Sequence, residues 1–203
     1  MIYTRTYDAP AVNKREIMRY AGVKTPTDEI ISLMNEAVEE ASGALTYKVC
    51  FGEFPITISD GTVGFGFAQA NSAALAKNLA GCDRAVIFAA TVGVGLDRLI
   101  ARYGVKSPSR ALMLQAFGAE RIEALCDSFA EDISSLEYKG CSLMPRFSPG
   151  YGDLPLEFQS EIFRVLDCPR LIGLSLNRSL LMSPTKSVTA IIGIKSECKY
   201  HYP

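Results

Sequence analysis

The segment SRALMLQAFGAERIEALCDSFAEDISSL, residues 109–136, predicts the longest helix of the chain and the element around which the fold is built. Its apolar residues recur at helical spacing through Ile133. We expect Ser107 or Ser109 to cap the first turn, because a serine hydroxyl accepts hydrogen bonds from the free N–H groups there. Acidic residues also recur along this helix; most must face water, but one or two could face a groove and meet a cationic ligand. They are Glu120, Glu123, Asp127, Glu131 and Asp132.

Two shorter helices are predicted near the N-terminus. Asn13 is expected to cap a helix that runs through Tyr20 and stops at Gly22. Thr27 opens a second helix, whose apolar residues fall on one side and whose glutamates fall mainly on the other. We interpret those glutamates as a solvated face without chemistry.

Residues 45–67 are rich in β-branched and aromatic side chains, which predicts two or three strands. The pair Asp60 and Gly61 is typical of a tight turn between such strands. Residues 69–79 predict a helix, and residues 84–91 predict a short apolar strand.

A glycine-containing turn, VGVG at residues 92–95, follows that strand and precedes another helix. This order invites comparison with dinucleotide-binding turns, in which glycines let a pyrophosphate reach a helix N-terminus. The complete GxGxxG pattern is missing, and no acidic residue ends a second strand at the expected distance. A plain strand-to-helix connection is therefore the favoured interpretation.

The C-terminal part combines a helix with two β-rich runs. Residues 156–169, LEFQSEIFRVLDCP, predict the helix, with Asp167 and Pro169 marking its end. The runs LIGLSLN at 171–177 and SVTAIIGI at 187–194 are expected to pair with the middle strands in one sheet. Together these elements predict an α+β domain rather than a regular alternation of strand and helix.

The composition excludes several classes of function. The chain has 203 residues, 48% of them apolar, and a formal net charge of -1, so no strong field favours nucleic acid. Its apolar runs are too short to span a bilayer, and the first residues lack the pattern of a secretory signal. We therefore expect a cytoplasmic protein without membrane or nucleic-acid partners.

Metal and thiol chemistry are also disfavoured. The six cysteines lie far apart without a CxxC pair, so we expect reduced, mostly buried thiols. The single histidine, His201, excludes a histidine-rich metal site and an internal Ser-His-Asp triad. We therefore predict no metal ligands and assign no catalytic residues.

The stretch RFSPGYGDLP, residues 146–155, predicts a stiff loop. Proline fixes φ and removes a donor, while glycine adds freedom that regular structure must give up. Such a loop either links two elements or holds a ligand, and binding residues concentrate in loops of this kind.

This loop resembles the RxxPGYxxxP segment of the activation domain of cobalamin-dependent methionine synthase. Residues 172–194, IGLSLNRSLLMSPTKSVTAIIGI, are similar to the same domain's serine-rich strand, methionine-proline turn and final SV strand. The resemblance extends from about residue 84 to residue 194 and is thin before it. We accordingly divide the chain into N-terminal helices and strands at residues 1–80 and an activation-domain-like core at residues 81–203, within one structural domain.

The resemblance implies a fold and a ligand. The implied fold is a curved antiparallel or mixed sheet flanked by helices. The implied ligand is S-adenosylmethionine, whose methyl group reactivates an oxidised cobalamin on a partner once a donor such as flavodoxin has delivered an electron. In that arrangement the domain positions the methyl donor, as an accessory part of a methyltransferase system in methionine biosynthesis.

The resemblance also implies site residues. Arg146 corresponds to an arginine beside the ligand carboxylate, where a planar guanidinium can form a bidentate pair. Tyr151 corresponds to the family's tyrosine, and Pro149 and Gly150 would bring the backbone close to the ligand. The complete expected S-adenosylmethionine-binding set is Arg146, Ser148, Pro149, Gly150, Tyr151, Glu137 and Glu123.

Four acidic residues are candidates beside that loop. Glu137 resembles an acidic ligand contact of the family, with a longer spacing to Arg146 than the family has. Glu123 or Asp127 could face the ammonium or sulfonium charge of the ligand. Asp153 departs from the family pattern, and its charge near the expected pocket could attract a sulfonium or indicate a different ligand.

Three functions remain open on the sequence. The first is an S-adenosylmethionine-binding protein that reactivates a separate corrinoid methyltransferase or a methionine synthase lacking its activation domain. The second is a docking module for a corrinoid protein, without a catalytic role. The third is an unrelated small-molecule enzyme using Asp153, Tyr151 and Arg146 as acid, base and anion clamp.

Overall fold

A computed structural model describes residues 1–196. Its central element is a five-stranded antiparallel sheet with helices on both faces, and two smaller sheets have three and two strands. The expectations for Cys198 and His201 lie outside the described residues. The strands are β1 (Ile2–Tyr7), β2 (Tyr47–Pro55), β3 (Thr57–Ser59), β4 (Thr62–Gly64), β5 (Gln69–Asn71), β6 (Arg84–Thr91), β7 (Cys141–Leu143), β8 (Ser175–Leu176), β9 (Met182–Ser183) and β10 (Ser187–Ser196). The helices are α1 (Lys14–Tyr20), α2 (Asp28–Ser42), α3 (Ala73–Asn78), α4 (Gly95–Lys106), α5 (Pro108–Asp132), α6 (Phe158–Leu166) and α7 (Cys168–Ile172), and a π-helical turn, Ile133–Glu137, follows α5.

The central sheet has the strand order β1-β2-β6-β10-β7, with every neighbouring pair antiparallel. Strands β6 and β10 lie in its interior and are buried along nearly their whole length, as their continuous apolar runs predict. The predicted α+β fold with an antiparallel sheet flanked by helices is confirmed. Because β2 pairs with β6, residues on both sides of the division at residue 80 share this sheet.

Alternate residues of the strands face two separate cores, since successive side chains point to opposite faces of a sheet. On one face, Phe51 and Phe88 pack beneath α1, α2 and α5. On the other, Ile87 and Ile191 pack beneath α6, α7 and α3. Helix α5 buries Phe117 and other apolar side chains along the first face, so the long predicted helix is confirmed as the main element of that layer.

The start of α5 differs from the prediction. Ser107 directly precedes the helix, but no side-chain hydrogen bond caps its first turn. Pro108 is the first helical residue, and a proline there leaves one fewer N–H group in need of a partner. Ser107 therefore stands at the N-cap position, as predicted, but its hydroxyl does not cap the helix.

The predicted caps near the N-terminus are confirmed. The Asn13 side chain accepts hydrogen bonds from the backbone N–H groups of Arg15 and Glu16 at 3.2 and 3.3 Å. The Thr27 hydroxyl accepts one from the backbone of Ile30 at 3.4 Å. These contacts fix where α1 and α2 begin.

Two predicted elements required correction. Residues 69–79 begin with strand β5, and α3 starts only at Ala73, because the Ser72 hydroxyl caps it through the N–H of Leu75. The run 171–177 does not join the central sheet: its first residues end α7, Gly173 takes a left-handed φ of 69°, and β8 pairs with β9 alone.

The edge strands β1 and β7 were not anticipated from the sequence. Strand β1 is half-exposed, and β7 has only three residues, so neither carries a strong apolar signal. Within residues 1–196, no helix combines the length and apolar character needed to cross a bilayer.

Candidate functional site

A cavity of about 340 Å³ opens among the 146–155 loop, α5, α6 and the start of β10. Small-molecule sites typically measure roughly 300–1,000 Å³, so this one is large enough for a ligand of moderate size. Its lining brings together five residues of the predicted set, namely Glu123, Arg146, Ser148, Pro149 and Tyr151. It adds five that were not predicted, Gln159, Met182, Ser187, Val188 and Thr189.

The backbone of the 146–155 loop is held against β10. The N–H and carbonyl of Phe147 both bond to the backbone of Ile191, at 2.9 and 2.8 Å. Gly150 has a left-handed φ of 89° and donates to the carbonyl of Leu154 at 2.9 Å, while the Leu154 side chain is buried. Gly150 therefore turns the loop, and it is not among the residues that line the cavity.

Arg146 projects from this loop to two carboxylates on α5. Its Nη2 donates to Glu123 Oε2 at 3.1 Å and to Asp127 Oδ1 at 2.8 Å. The two acids are four residues apart, so they lie on the same face of the helix. The arginine side chain is 26% exposed, and Nε and Nη1 take no part in these two bonds.

The three charges at this point sum to one negative charge, because two carboxylates face one guanidinium. The neighbouring thiol of Cys126 adds none, since burial raises its pKa to about 12. An arginine with donors outside its ion pairs, set beside excess negative charge, suits a ligand that carries both a carboxylate and a cationic group.

The side of the cavity formed by α6 and β10 is polar and buried. Gln159 Nε2 donates to the Leu180 carbonyl at 3.0 Å, and the hydroxyl of Thr189 donates to Gln159 Oε1 at 3.4 Å. The hydroxyl of Ser187 lies 2.8 Å from that of Thr91. These residues hold the turn before β10 against the cavity.

One residue, Gln159, could have indicated the polar side of the cavity from the sequence. Gln159 stands beside Phe158 on the buried face of an amphipathic helix, and a buried amide needs hydrogen-bond partners. Ser187 and Thr189 gave no such signal, because hydroxyl side chains are ordinary in strands.

The structure does not bring Glu137 into this cavity. Its carboxylate forms an ion pair with Arg5 and lines a separate cavity of about 840 Å³ that also includes Tyr138 and Arg84. Glu137 ends the π-helical turn, and β7 lies between it and Arg146 along the chain, so the two residues reach different cavities.

Asp153 is also absent from the lining of the cavity. Its carboxylate accepts hydrogen bonds from the hydroxyl of Ser72 and from the backbone N–H groups of Ala73 and Ala74, the last two at 2.8 and 3.2 Å. The Ser72 hydrogen bond is the main cause that lowers the pKa of Asp153. The charge expected near the pocket is therefore directed at the start of α3 and not into the cavity.

Comparisons with known proteins identify the family and the fold of this chain. The family model for the vitamin B12 dependent methionine synthase activation domain matches residues 70–202, well over half of the chain. A comparison with curated proteins finds no significant match.

One similar solved structure is the crystal structure of the MetH reactivation domain bound to AdoHcy, with a TM-score of 0.69 and 16% sequence identity. The alignment covers 99% of this chain and 80% of that chain, so the likeness extends through the N-terminal part that the family model does not match. At this identity the likeness establishes the fold, and the family model establishes the membership. This chain belongs to the family of vitamin B12 dependent methionine synthase activation domains.

Proposed function

We propose that this protein binds S-adenosylmethionine in the cavity beside Arg146 and supports the reductive methylation of a cobalamin-dependent methyltransferase such as methionine synthase. The observation that carries the proposal is the shared cavity of Arg146 and Tyr151, the two side chains of the family motif. The similar reactivation domain was solved with AdoHcy, which is S-adenosylmethionine without its methyl group.

The charges of the ligand complement those of the Arg146, Glu123 and Asp127 cluster, of which Arg146 and Glu123 line the cavity. S-adenosylmethionine carries a carboxylate, an ammonium and a sulfonium, so its net charge is opposite to that of the Arg146, Glu123 and Asp127 cluster. We assign the ligand carboxylate to the nitrogens of the Arg146 guanidinium that do not bond Glu123 or Asp127. Glu123 would then face the ammonium or the sulfonium.

The protein itself would bind and orient the methyl donor. Cobalamin on a partner would supply the methyl-accepting chemistry, and a flavodoxin-type protein is the proposed electron donor. The partner would be a corrinoid-binding protein or a methionine synthase without an activation domain of its own.

In the alternative of an unrelated enzyme, Asp153 was the proposed acid, but it does not line the cavity. Asp153 faces the start of α3, where Ser72, Ala73 and Ala74 occupy both of its oxygens. The alternative of a docking module that does not bind S-adenosylmethionine is decided by the binding experiment.

Titration calorimetry with S-adenosylmethionine tests the binding claim. We expect one site in the wild type and an affinity roughly 10- to 150-fold lower in Arg146→Ala, because a charge-assisted pair contributes about 1.5–3 kcal/mol. Arg170→Ala is the matched control, since Arg170 is an exposed arginine paired to Asp167, the residue between α6 and α7, outside the cavity lining. Absence of heat with the wild type would leave only the docking module.

Methyl transfer is tested separately with S-adenosylmethionine labelled in its methyl group, a reduced corrinoid protein and a chemical reductant. Label should reach the corrinoid faster when this protein is present, and Arg146→Ala should abolish most of the gain. Equal rates with and without the wild-type protein would reject the reactivation role while leaving the binding result intact.

A further inference from the structure

Helix α3 lies beside the 146–155 loop. It forms hydrogen bonds with Pro145, just before the loop, and with Asp153, near its other end. At the far end, Asp153 accepts hydrogen bonds from the Ser72 hydroxyl and from the N–H groups of the first turn. At the near end, Asn78 Nδ2 donates to the carbonyl of Pro145 at 3.3 Å. A helix of this length spans roughly 9 Å, so α3 holds the two ends of the loop at a fixed separation.

Gly152 allows the loop to approach the helix this closely. A Cβ atom at Gly152 would stand 3.0 Å from the Cβ of Ala74 and 3.6 Å from the ring of Phe147, and the φ of 55° is itself unfavourable for other residues. Gly152 therefore permits the close approach to α3, and Asp153 makes the hydrogen bonds to it.

The cavity-lining residues of the loop all lie between these two attachments. Arg146 directly follows Pro145, and Tyr151 directly precedes Gly152. A binding loop that is already fixed loses less conformational freedom when its ligand arrives, which favours tighter binding.

We propose that Asp153 is a positioning residue of the S-adenosylmethionine site, holding residues 146–151 in place through the first turn of α3 without touching the ligand. This proposal rests on the proposed function and adds a residue that the family motif does not contain. It assigns α3, which lies in the N-terminal part of the chain, a role in a site whose motif is about 70 residues further on.

The test compares Asp153→Ala, Asp153→Asn and the control Asp8→Ala, which removes an exposed aspartate on the loop before α1. Calorimetry with S-adenosylmethionine, well below the unfolding temperature, should give a Kd roughly five- to tenfold higher for Asp153→Ala. Asp153→Asn should fall between this value and the wild type, because one acceptor oxygen remains. Asp8→Ala should bind as the wild type does.

Hydrogen exchange supplies a readout that needs no ligand. The N–H groups of Gly150 and Leu154, which are bonded within the loop, should exchange faster in both Asp153 variants. A purely structural aspartate would lower the melting temperature and leave both Kd and loop exchange unchanged, and that result would overturn the proposal.

Two further variants keep the test decisive. Because the Ser72–Asp153 contact is lost in either single variant, Ser72→Ala combined with Asp153→Ala should weaken binding by less than the sum of the two single variants. If Asp153→Ala does not fold, Asp153→Asn and Ser72→Ala give the same two readouts. If the wild type binds no S-adenosylmethionine, the proposed function fails, and unchanged loop exchange in the variants would separately reject the positioning role.

Discussion

Helix α5 carries two arginine clusters that differ chiefly in burial. Arg121, on the helix itself, is 1% exposed; it donates to both oxygens of Glu120 and to the carbonyls of Pro10 and Ala11 at 2.5 and 2.8 Å. Arg146 reaches the same helix from a loop, is 26% exposed, and donates to two carboxylates through Nη2 alone.

The difference separates a structural arginine from one that is accessible to a ligand. Every nitrogen of the Arg121 guanidinium is bonded within the protein, and Glu120 also accepts from the backbone of Asn13 at 3.0 Å. That cluster fixes the segment before α1 on α5. Arg146 keeps donors and exposed surface, so a ligand can bind there without breaking the fold.

The largest expected effect falls on the buried cluster. Arg121→Ala leaves the Glu120 carboxylate buried without its partner, and breaking a buried pair in this way typically destabilises a protein by about 3–5 kcal/mol. Urea unfolding measures the change. A loss below about 1 kcal/mol would show that Arg121 and Arg146 do not differ as we describe.

The next effect is on binding at the exposed cluster. Arg146→Ala should lower S-adenosylmethionine affinity by about 1.5–3 kcal/mol while changing the free energy of unfolding by roughly 1 kcal/mol or less. The comparison requires the affinity and the free energy of unfolding to be measured on the same sample. A variant that loses stability as Arg121→Ala does would make Arg146 a structural residue as well.

A third test uses pH, through the buried thiol of Cys126 on α5, which lies beside Arg146. Burial raises the pKa of Cys126 from 9.0 to about 12. Because the folded value is the higher one, the neutral thiol's contribution is complete below pH 9 and is lost as pH rises toward 12. Between pH 9.5 and 10.5 the wild type should lose about 1 kcal/mol more than Cys126→Ala does.

Urea unfolding of both proteins at the two pH values measures that difference. Equal losses would mean that the Cys126 thiol ionises in the folded protein, and an added negative charge would then stand beside Arg146.

The smallest effect is expected at Asp127. Its side chain is 73% exposed, and exposed ion pairs contribute roughly 0–1 kcal/mol, so Asp127→Asn should leave the free energy of unfolding nearly unchanged. Glu120→Gln, the matching change in the buried cluster, should be several times more destabilising. Similar values for the two variants would contradict the distinction.

The sequence predicted the parts of the fold that have a strong period or a cap. The 109–136 helix, the apolar strands β6 and β10, and the starts of α1 and α2 all follow from spacing or from a capping side chain. The short strands β7 and β9 could not be found, because two or three residues carry no period, and the predicted run that contains β8 was assigned to the wrong sheet.

The cavity-lining residues that belong to a local sequence motif could be predicted. Those that come together only through tertiary contacts could not. Arg146 and Tyr151 belong to one short motif, so their shared cavity could be anticipated. Asp153 looked like a pocket charge, because no local pattern reveals that the start of α3 lies opposite it. Gln159 and Thr189 come together only through the packing of α6 on the sheet.

The most direct measurement is a crystal structure of the protein with S-adenosylhomocysteine, the non-reactive form of the proposed ligand. We predict that its carboxylate lies within hydrogen-bond distance of the Arg146 guanidinium, in the cavity that Tyr151 lines, with the 146–155 loop unmoved. Ligand bound instead in the larger cavity beside Arg5 and Tyr138 would contradict the assignment, as would a ligand whose carboxylate points away from Arg146.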